Sequence, residues 1–157
     1  MGKKLVAYFS ASGVTEQVAK RLCSAIGGDL HKIVPAVEYT RDDLDWRNKN
    51  SRSSLEMKDK SFRPEIRNRV ADMSQYDVIY VGFPIWWYVA PTIINTFLEE
   101  YDLTGKTVIP FATSGGSGMG RTNDELALSC GGAILKDGKR FSKDVTESEL
   151  KSWAENT

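Results

Sequence analysis

One histidine, two cysteines and no surplus of either charge mark this chain of 157 residues. His31 and the widely separated Cys23 and Cys130 cannot make a zinc site of recognisable spacing. Two cysteines are too few for the disulfide framework of a secreted scaffold, so a reducing, cytoplasmic compartment is expected. The 21 basic and 21 acidic residues balance, whereas a chain that lives on nucleic acid carries a basic excess. Long hydrophobic runs are also missing. The longest, residues 78–91, is broken by Gly82 and Pro84 and falls short of the roughly 20 residues a membrane span needs. Only a short apolar run follows Met1-Gly-Lys-Lys, so no signal peptide is expected. Val6 stands where a myristoylation pattern needs Ser or Thr.

What is present is an ordinary globular composition, 41% apolar and 27% charged. The length predicts one domain over residues 1–157. There is no internal repeat and no low-complexity tract. Lys4-Leu-Val-Ala-Tyr-Phe9 reads as a buried strand stopped by Ser10, Ser12 and Gly13. Val14, Val18, Leu22, Ala25 and Ile26 recur at helical spacing until Gly27-Gly28. A weaker strand follows over 30–34. Arg63-Pro64-Glu65 predicts a short helix carrying Ile66 and Val70. Residues 76–83 form the clearest buried strand, and Pro91 opens a helix with Ile94, Phe97 and Leu98 on one face. Residues 106–113 make another strand. Thr122 with Glu125, and Thr146 with Glu149, are spaced as capping boxes for two further helices. Residues 133–135 and 140–141 suggest an interrupted last strand. Strand and helix therefore alternate, which predicts a parallel sheet covered by helices on both faces; the unbroken apolar strands fit burial on both sides. Pro110 conflicts with a mid-strand position and predicts a bulge or an unpaired group there. Residues 38–62 break the alternation without clear periodicity. A loop this long is functional or disordered, and Tyr39, Trp46 and Phe62 favour an ordered lid.

In open parallel sheets ligands sit beyond the carboxyl ends of the strands. Three strand ends carry unusual sequence. Ser10-Ala-Ser-Gly-Val-Thr15 surrounds a helix N-terminus, where amide groups and the helix dipole suit a phosphate without any Lys or Arg; helix capping by Ser12 and Thr15 is the plainer reading. Pro84-Ile-Trp-Trp-Tyr-Val-Ala-Pro91 offers large aromatics for stacking on a flat ligand, unless both indoles pack under the next helix. Thr113-Ser-Gly-Gly-Ser-Gly-Met-Gly120 lets bare backbone approach a ligand, or is a flexible connector. Together they suit a phosphate tethered to a flat polar ring, and flavin mononucleotide (FMN) has that outline. A dinucleotide fits less well, because the Gly-x-Gly-x-x-Gly spacing and the acidic ribose partner are absent.

These residues make the chain resemble the flavodoxins, specifically their short bacterial branch. The likeness spans essentially the whole chain and rests on Ser10-x-Ser-Gly-x-Thr15, Gly82-Phe-Pro-Ile-Trp-Trp87 and Phe111-Ala-Thr-Ser-Gly-Gly-Ser-Gly118. Asn50-Ser-Arg-Ser-Ser54 also looks like a recurrent piece of that branch. The resemblance implies an α/β, flavodoxin-like three-layer sandwich with a five-stranded parallel sheet in the order 2-1-3-4-5. It implies that the hydroxyls of Ser10, Ser12 and Thr15, with the N–H groups of Ala11, Ser12, Gly13, Val14 and Thr15, hold the FMN phosphate. Pro84, Ile85, Trp86, Trp87 and Tyr88 would line one edge and face of the flavin ring. Ser114, Gly115, Gly116, Ser117 and Gly118 would meet the other edge. Two departures stand out: the loop after the fourth strand has no aromatic to cover the outer flavin face, and the zero net charge differs from the acidity of many flavodoxins.

The expected function is electron transfer between a flavodoxin reductase and acceptor enzymes, by a monomer or weak dimer without catalytic residues. The alternative is an FMN-dependent NAD(P)H:quinone-type oxidoreductase. A phospho-acceptor receiver would need acidic residues where Ser10-Ala11 and Pro84-Ile85 stand, and a tyrosine phosphatase would need Cys and Arg in the first loop. His31 reads as a surface residue of an edge strand.

Overall fold

A computed structural model of the chain describes residues 3–11, 13–45, 47–59, 61–86, 89–114 and 118–157. Its strands are β1 (Lys3–Tyr8), β2 (Asp29–Lys32), β3 (Tyr76–Pro84), β4 (Thr107–Thr113), β5 (Ile134–Leu135) and β6 (Lys139–Phe141). Its helices are α1 (Val14–Ile26), α2 (Arg52–Lys58), α3 (Thr92–Glu99), α4 (Thr122–Ala127) and α5 (Glu147–Glu155). All pairings in the sheet are parallel. The order is β2-β1-β3-β4-β5, with β6 also on β4. This is the expected 2-1-3-4-5 sheet plus a sixth strand, because the last strand is split in two.

Successive side chains of a strand point to opposite faces, and here both faces are buried. Leu5, Ala7, Ile79, Val81 and Phe83 pack with Ile93, Ile94, Phe97 and Leu98 of α3 and Leu126 of α4. On the other face, Val6, Tyr8, Tyr80, Ile109 and Phe111 meet Val18, Ala19 and Leu22 of α1 and Leu150 of α5. Gly82 makes room for one of these side chains. A Cβ there would lie 2.1 Å from Phe111 Cζ, so only hydrogen lets that ring cross the sheet.

The break between β5 and β6 answers the conflict at Pro110. Ile134 N–H donates to Lys106 C=O (2.8 Å) and Lys136 N–H to Val108 C=O (2.9 Å). The polar groups of alternate β4 residues therefore face the outer strand, and Pro110, next in that series, has no N–H to offer. Pairing lapses after Val108↔Leu135 and resumes at Phe111↔Lys139, so residues 109–110 face the longer stretch 136–138. The missing donor sits at a bulge, as a strand proline should.

Three local expectations need correction. Residues 63–70 do not form a helix. Ala36 N–H donates to Glu65 C=O (2.8 Å) and Arg67 N–H to Val34 C=O (2.7 Å), making an antiparallel bridge between Pro35 and Ile66. Backbone pairing with 33–36 has taken the place of the helix. The crossover helix is instead α2, inside the segment 38–62. Nor do Thr122 and Glu125 form a capping box. Thr122 is the first residue of α4, its hydroxyl donates back to Met119 C=O, and no side chain caps that helix. At α5 the cap holds: Thr146 Oγ1 accepts from Glu149 N–H at 3.1 Å. Cys130 is buried in the turns after α4, and both cysteines are free.

Candidate functional site

The carboxyl ends of β1, β3 and β4 are tied together by hydrogen bonds that run between the three loops. Phe9 N–H donates to Gly82 C=O at 2.9 Å. Ile85 N–H donates to Thr113 C=O at 3.2 Å. Thr15 Oγ1 lies 2.7 Å from Thr113 Oγ1, and both residues are buried. Thr113 thus touches the first loop through its hydroxyl and the second through its carbonyl.

The first loop is held by a bond within itself. Ser10 Oγ accepts from Gly13 N–H at 3.0 Å. Gly13 has φ 94°, a left-handed conformation that favours glycine, and it caps α1 without help from a side chain. The capping expected of Thr15 is therefore not what its hydroxyl does; it reaches β4 instead. Ser12 lies outside the described residues. The first amides of α1 have no acceptor within the helix, and the dipole makes that end positive. Glu16 in this turn accepts from Tyr8 Oη at 2.8 Å, a bond that holds its carboxyl below the usual carboxylate range. Burial, followed by that same bond, pushes the Tyr8 hydroxyl well up.

The second loop turns back on itself: Trp86 N–H donates to Val89 C=O (2.9 Å) and Val89 N–H to Trp86 C=O (3.1 Å). Trp87 and Tyr88 lie outside the described residues. Trp86 is half-buried and packs against the core that includes α3. It stands edge-on to Phe9 (centroids 5.8 Å) and Tyr39 (5.5 Å), which are themselves 5.5 Å apart.

Tyr39 brings the long crossover into the site, and here the sequence had no clear periodic signal. Its hydroxyl donates to Glu56, and burial with that carboxylate pushes it far above the ordinary tyrosine range. The Arg52 guanidinium lies 3.8 Å above the Tyr39 ring. It also donates to Glu56 Oε2 (2.9 Å), Val37 C=O (2.8 Å) and Glu38 C=O (3.1 Å). One arginine thus ties residues 37–39 to α2. Trp46, the second aromatic expected in this lid, lies outside the described residues; Phe62, the third, is exposed.

At the third loop, Arg140 of β6 donates from Nε to Ser114 Oγ (3.0 Å) and from Nη2 to Ser114 C=O (2.9 Å). Gly115, Gly116 and Ser117 lie outside the described residues; Gly118 is exposed. Arg140 was not among the sequence candidates, and Thr113 marked only where the third loop begins. The part each plays shows only once the strand register is known. His31 is not the surface residue expected: it is half-buried on β2, 5.9 Å from the Phe97 ring, and burial holds its pKa below 6.5.

Among the described residues no group of three or more His, Cys, Asp or Glu could hold a metal ion, and no helix is long and apolar enough to cross a membrane. A cavity of about 680 Å³ lies between β6 and α5, lined by Arg140, Phe141 and Trp153 among others; none of its lining residues belongs to the three loops.

The chain is 47% identical to a candidate flavoprotein of Bacteroides eggerthii, with a TM-score of 0.93 over 99% of this chain and 98% of that one. A candidate flavoprotein of Bacteroides uniformis gives 46% identity and the same TM-score over 98% of each chain. A flavoprotein of Lactobacillus acidophilus, solved in complex with FMN, shares the fold at 23% identity and TM-score 0.72, over 98% of this chain and 99% of that one. A weaker likeness, 28% over 59 residues, joins the chain to the uncharacterized NAD(P)H oxidoreductase YcaK of Escherichia coli; it covers 38% of this chain and about a quarter, 26%, of that relative. The flavodoxin family pattern matches residues 3–157. With its 2-1-3-4-5 sheet and its three linked strand-end loops, the chain belongs to the flavodoxin family.

Proposed function

We propose that the chain binds FMN at the three loops and carries electrons between a reductase and acceptor proteins. The observation that supports this best is Thr113. It ties the helix that would face a phosphate to the loops that would flank a ring, so the parts of a phosphate-plus-ring site are held at one junction. Family membership and the FMN complex of the Lactobacillus acidophilus flavoprotein point the same way.

The residues fit such a ligand. Gly13, at φ 94°, starts α1 with open space around the position of a Cβ. The amides of Val14 and Thr15, with Ser12, would meet the phosphate through dipoles and hydrogen bonds rather than a cation. Ser10 already accepts from Gly13 N–H and so fixes the loop's shape. Thr15 keeps two lone pairs if it donates to Thr113, or its proton and one lone pair if it accepts, since a hydroxyl donates once and accepts twice. The hydroxyls of Ser53 and Thr92 are buried without a hydrogen-bond partner among the described residues. Thr92 opens α3 directly after the second loop, where a bound ligand could satisfy it. Trp86, braced by Phe9 and Tyr39, would present an edge rather than a free face, leaving stacking to Trp87 or Tyr88. Tyr39 and the crossover held by Arg52 would shield part of the site from water and serve as its lid. When bound, FMN supplies the redox chemistry, and the protein's share is binding, orientation and electrostatics. On this reading the protein works in the cytoplasm as a monomer or weak dimer, with a flavodoxin reductase and acceptor enzymes as partners.

The test is titration of apo-protein with FMN and with riboflavin, read by flavin absorbance and tryptophan emission. Tight uptake of FMN, with riboflavin at least a hundredfold weaker, is expected. Equal affinities would remove the phosphate site, and no uptake would end the reading.

The match to YcaK favours a second reading, an NAD(P)H:quinone-type oxidoreductase. Mixing the FMN-loaded protein with NADPH alone under argon separates the two. A carrier stays yellow over minutes; rapid bleaching selects the enzyme.

A further inference from the structure

Resting on the FMN reading above, we propose that Arg140 supplies a fixed positive charge that sets the redox balance of the bound flavin. Its guanidinium grips Ser114 twice, through the hydroxyl and the carbonyl, where β4 gives way to the 114–118 loop. A planar fork held at two acceptors has a fixed place, unlike a lysine ammonium. Ser114 is its hydrogen-bond partner among the described residues, and the ion pairs found among those residues do not include Arg140. Lys139, the preceding residue, adds a second positive charge nearby; its ammonium lies 5.6 Å from the Phe141 ring centroid. Glu149 is the acidic residue among those that line the cavity between β6 and α5 with Arg140.

The consequence follows from charge. Two electrons from the reductase and one proton from water leave the flavin ring one unit more negative than when oxidised. A fixed cation behind the loop that meets the ring's polar edge stabilises that form over the neutral one. Arg140 is half exposed, so solvent trims the effect. The loop itself offers only backbone and hydroxyl groups, so the bias comes from charge behind it, and Arg140 is the cation anchored there. It would give the flavin a higher potential than an acidic setting does.

The experiment uses the full chain loaded with FMN and two variants, R140K and R140Q. Two-electron midpoint potentials are measured by dye equilibration with dithionite as reductant. Amide exchange of Thr113 and Ser114 is measured in the apo-proteins. R140Q is expected to lose about tenfold of its preference for reduced over oxidised FMN, a fall of about 30 mV on the two-electron couple. R140K is expected to keep most of the wild-type potential although it loses the fork. Both variants are expected to exchange the two amides faster. An unchanged potential in R140Q overturns the proposal. So does a potential in R140K as low as in R140Q, because the arginine would then act through loop shape and not through charge. Should R140Q not fold, R140M provides the neutral variant on the same terms. If the wild type takes up no FMN, the reading of the site falls, and the proposal with it. If it takes up FMN and the variants match it, the proposal alone falls.

Discussion

The centre of the sheet and the crossover from β2 to β3 are held together by different forces. In β1, β3 and β4 most side chains are apolar and buried, and pairing runs residue by residue between neighbours. In residues 33–75 the buried groups of the one described α-helix, α2, are Ser53, Ser54 and Glu56. Order there comes from Arg52 and from side chains bonded to backbone, such as Asn68 on Val34 N–H and Lys32 C=O. Apolar burial is non-directional and tolerant of detail. A polar network holds only while each member keeps its partner. The first region should therefore respond to volume and the second to the loss of single groups.

The largest effect tests the sheet by volume. Gly82→Val would place atoms inside the Phe111 ring and should cost about 3 kcal/mol through overpacking, read as the urea midpoint. Adding Phe111→Leu should return a good part of it. If G82V is neutral, the close approach of β3 and β4 is not what excludes a side chain there. Next, Arg52→Ala should cost about 2 kcal/mol, since it leaves Glu56, only 7% exposed, without its ion pair. Limited proteolysis should then cut within 38–62 before the sheet unfolds. Cleavage no faster than in the wild type would show that the crossover does not depend on this residue. Thr15→Val should cost about 1 kcal/mol by leaving Thr113 unpaired and should weaken FMN uptake more than it weakens folding. Equal losses in both would reduce the junction to an ordinary core contact.

The smallest effect is a slope. Burial holds His31 below 6.5 in the fold, so the unfolded chain takes up its proton first as pH falls. His31 leaves stability untouched above pH 6.5. Stability then declines as pH drops from 6.5 through the lower folded value, and levels off beneath it. His31→Gln should flatten the stability curve in that window when unfolding is followed by urea at a series of pH values. A wild-type curve already flat there would place His31 in water in the native state.

The same contrast explains what could be read in advance. The strands β1, β3 and β4 were visible because burial on both faces writes itself as unbroken apolar runs. The end of α1 was visible because Gly27, at φ 68°, is the usual left-handed stop. Helix α2 was not, because its inward face is polar and its exposed face carries Leu55, the reverse of the pattern on which periodicity depends. Residues 63–70 misled through Pro64 and the spacing of Ile66 and Val70, which a backbone bridge overrode. At the site, the three loops were legible as departures from strand and helix composition. Arg140 was not, since only the offset of β6 past the bulge brings it to Ser114.

That offset has a last consequence, for how copies of the chain meet one another. A sheet grows from molecule to molecule where it ends in a long, flat, greasy margin. On one side this sheet ends in the four residues of β2, which include Asp29 and Lys32. On the other it ends in pieces of two and three residues, parted where a proline has no proton to lend. Neither border is long enough for a neighbour to zip onto. The interrupted strand thus guards the molecule against edge-to-edge stacking when copies of it are crowded together.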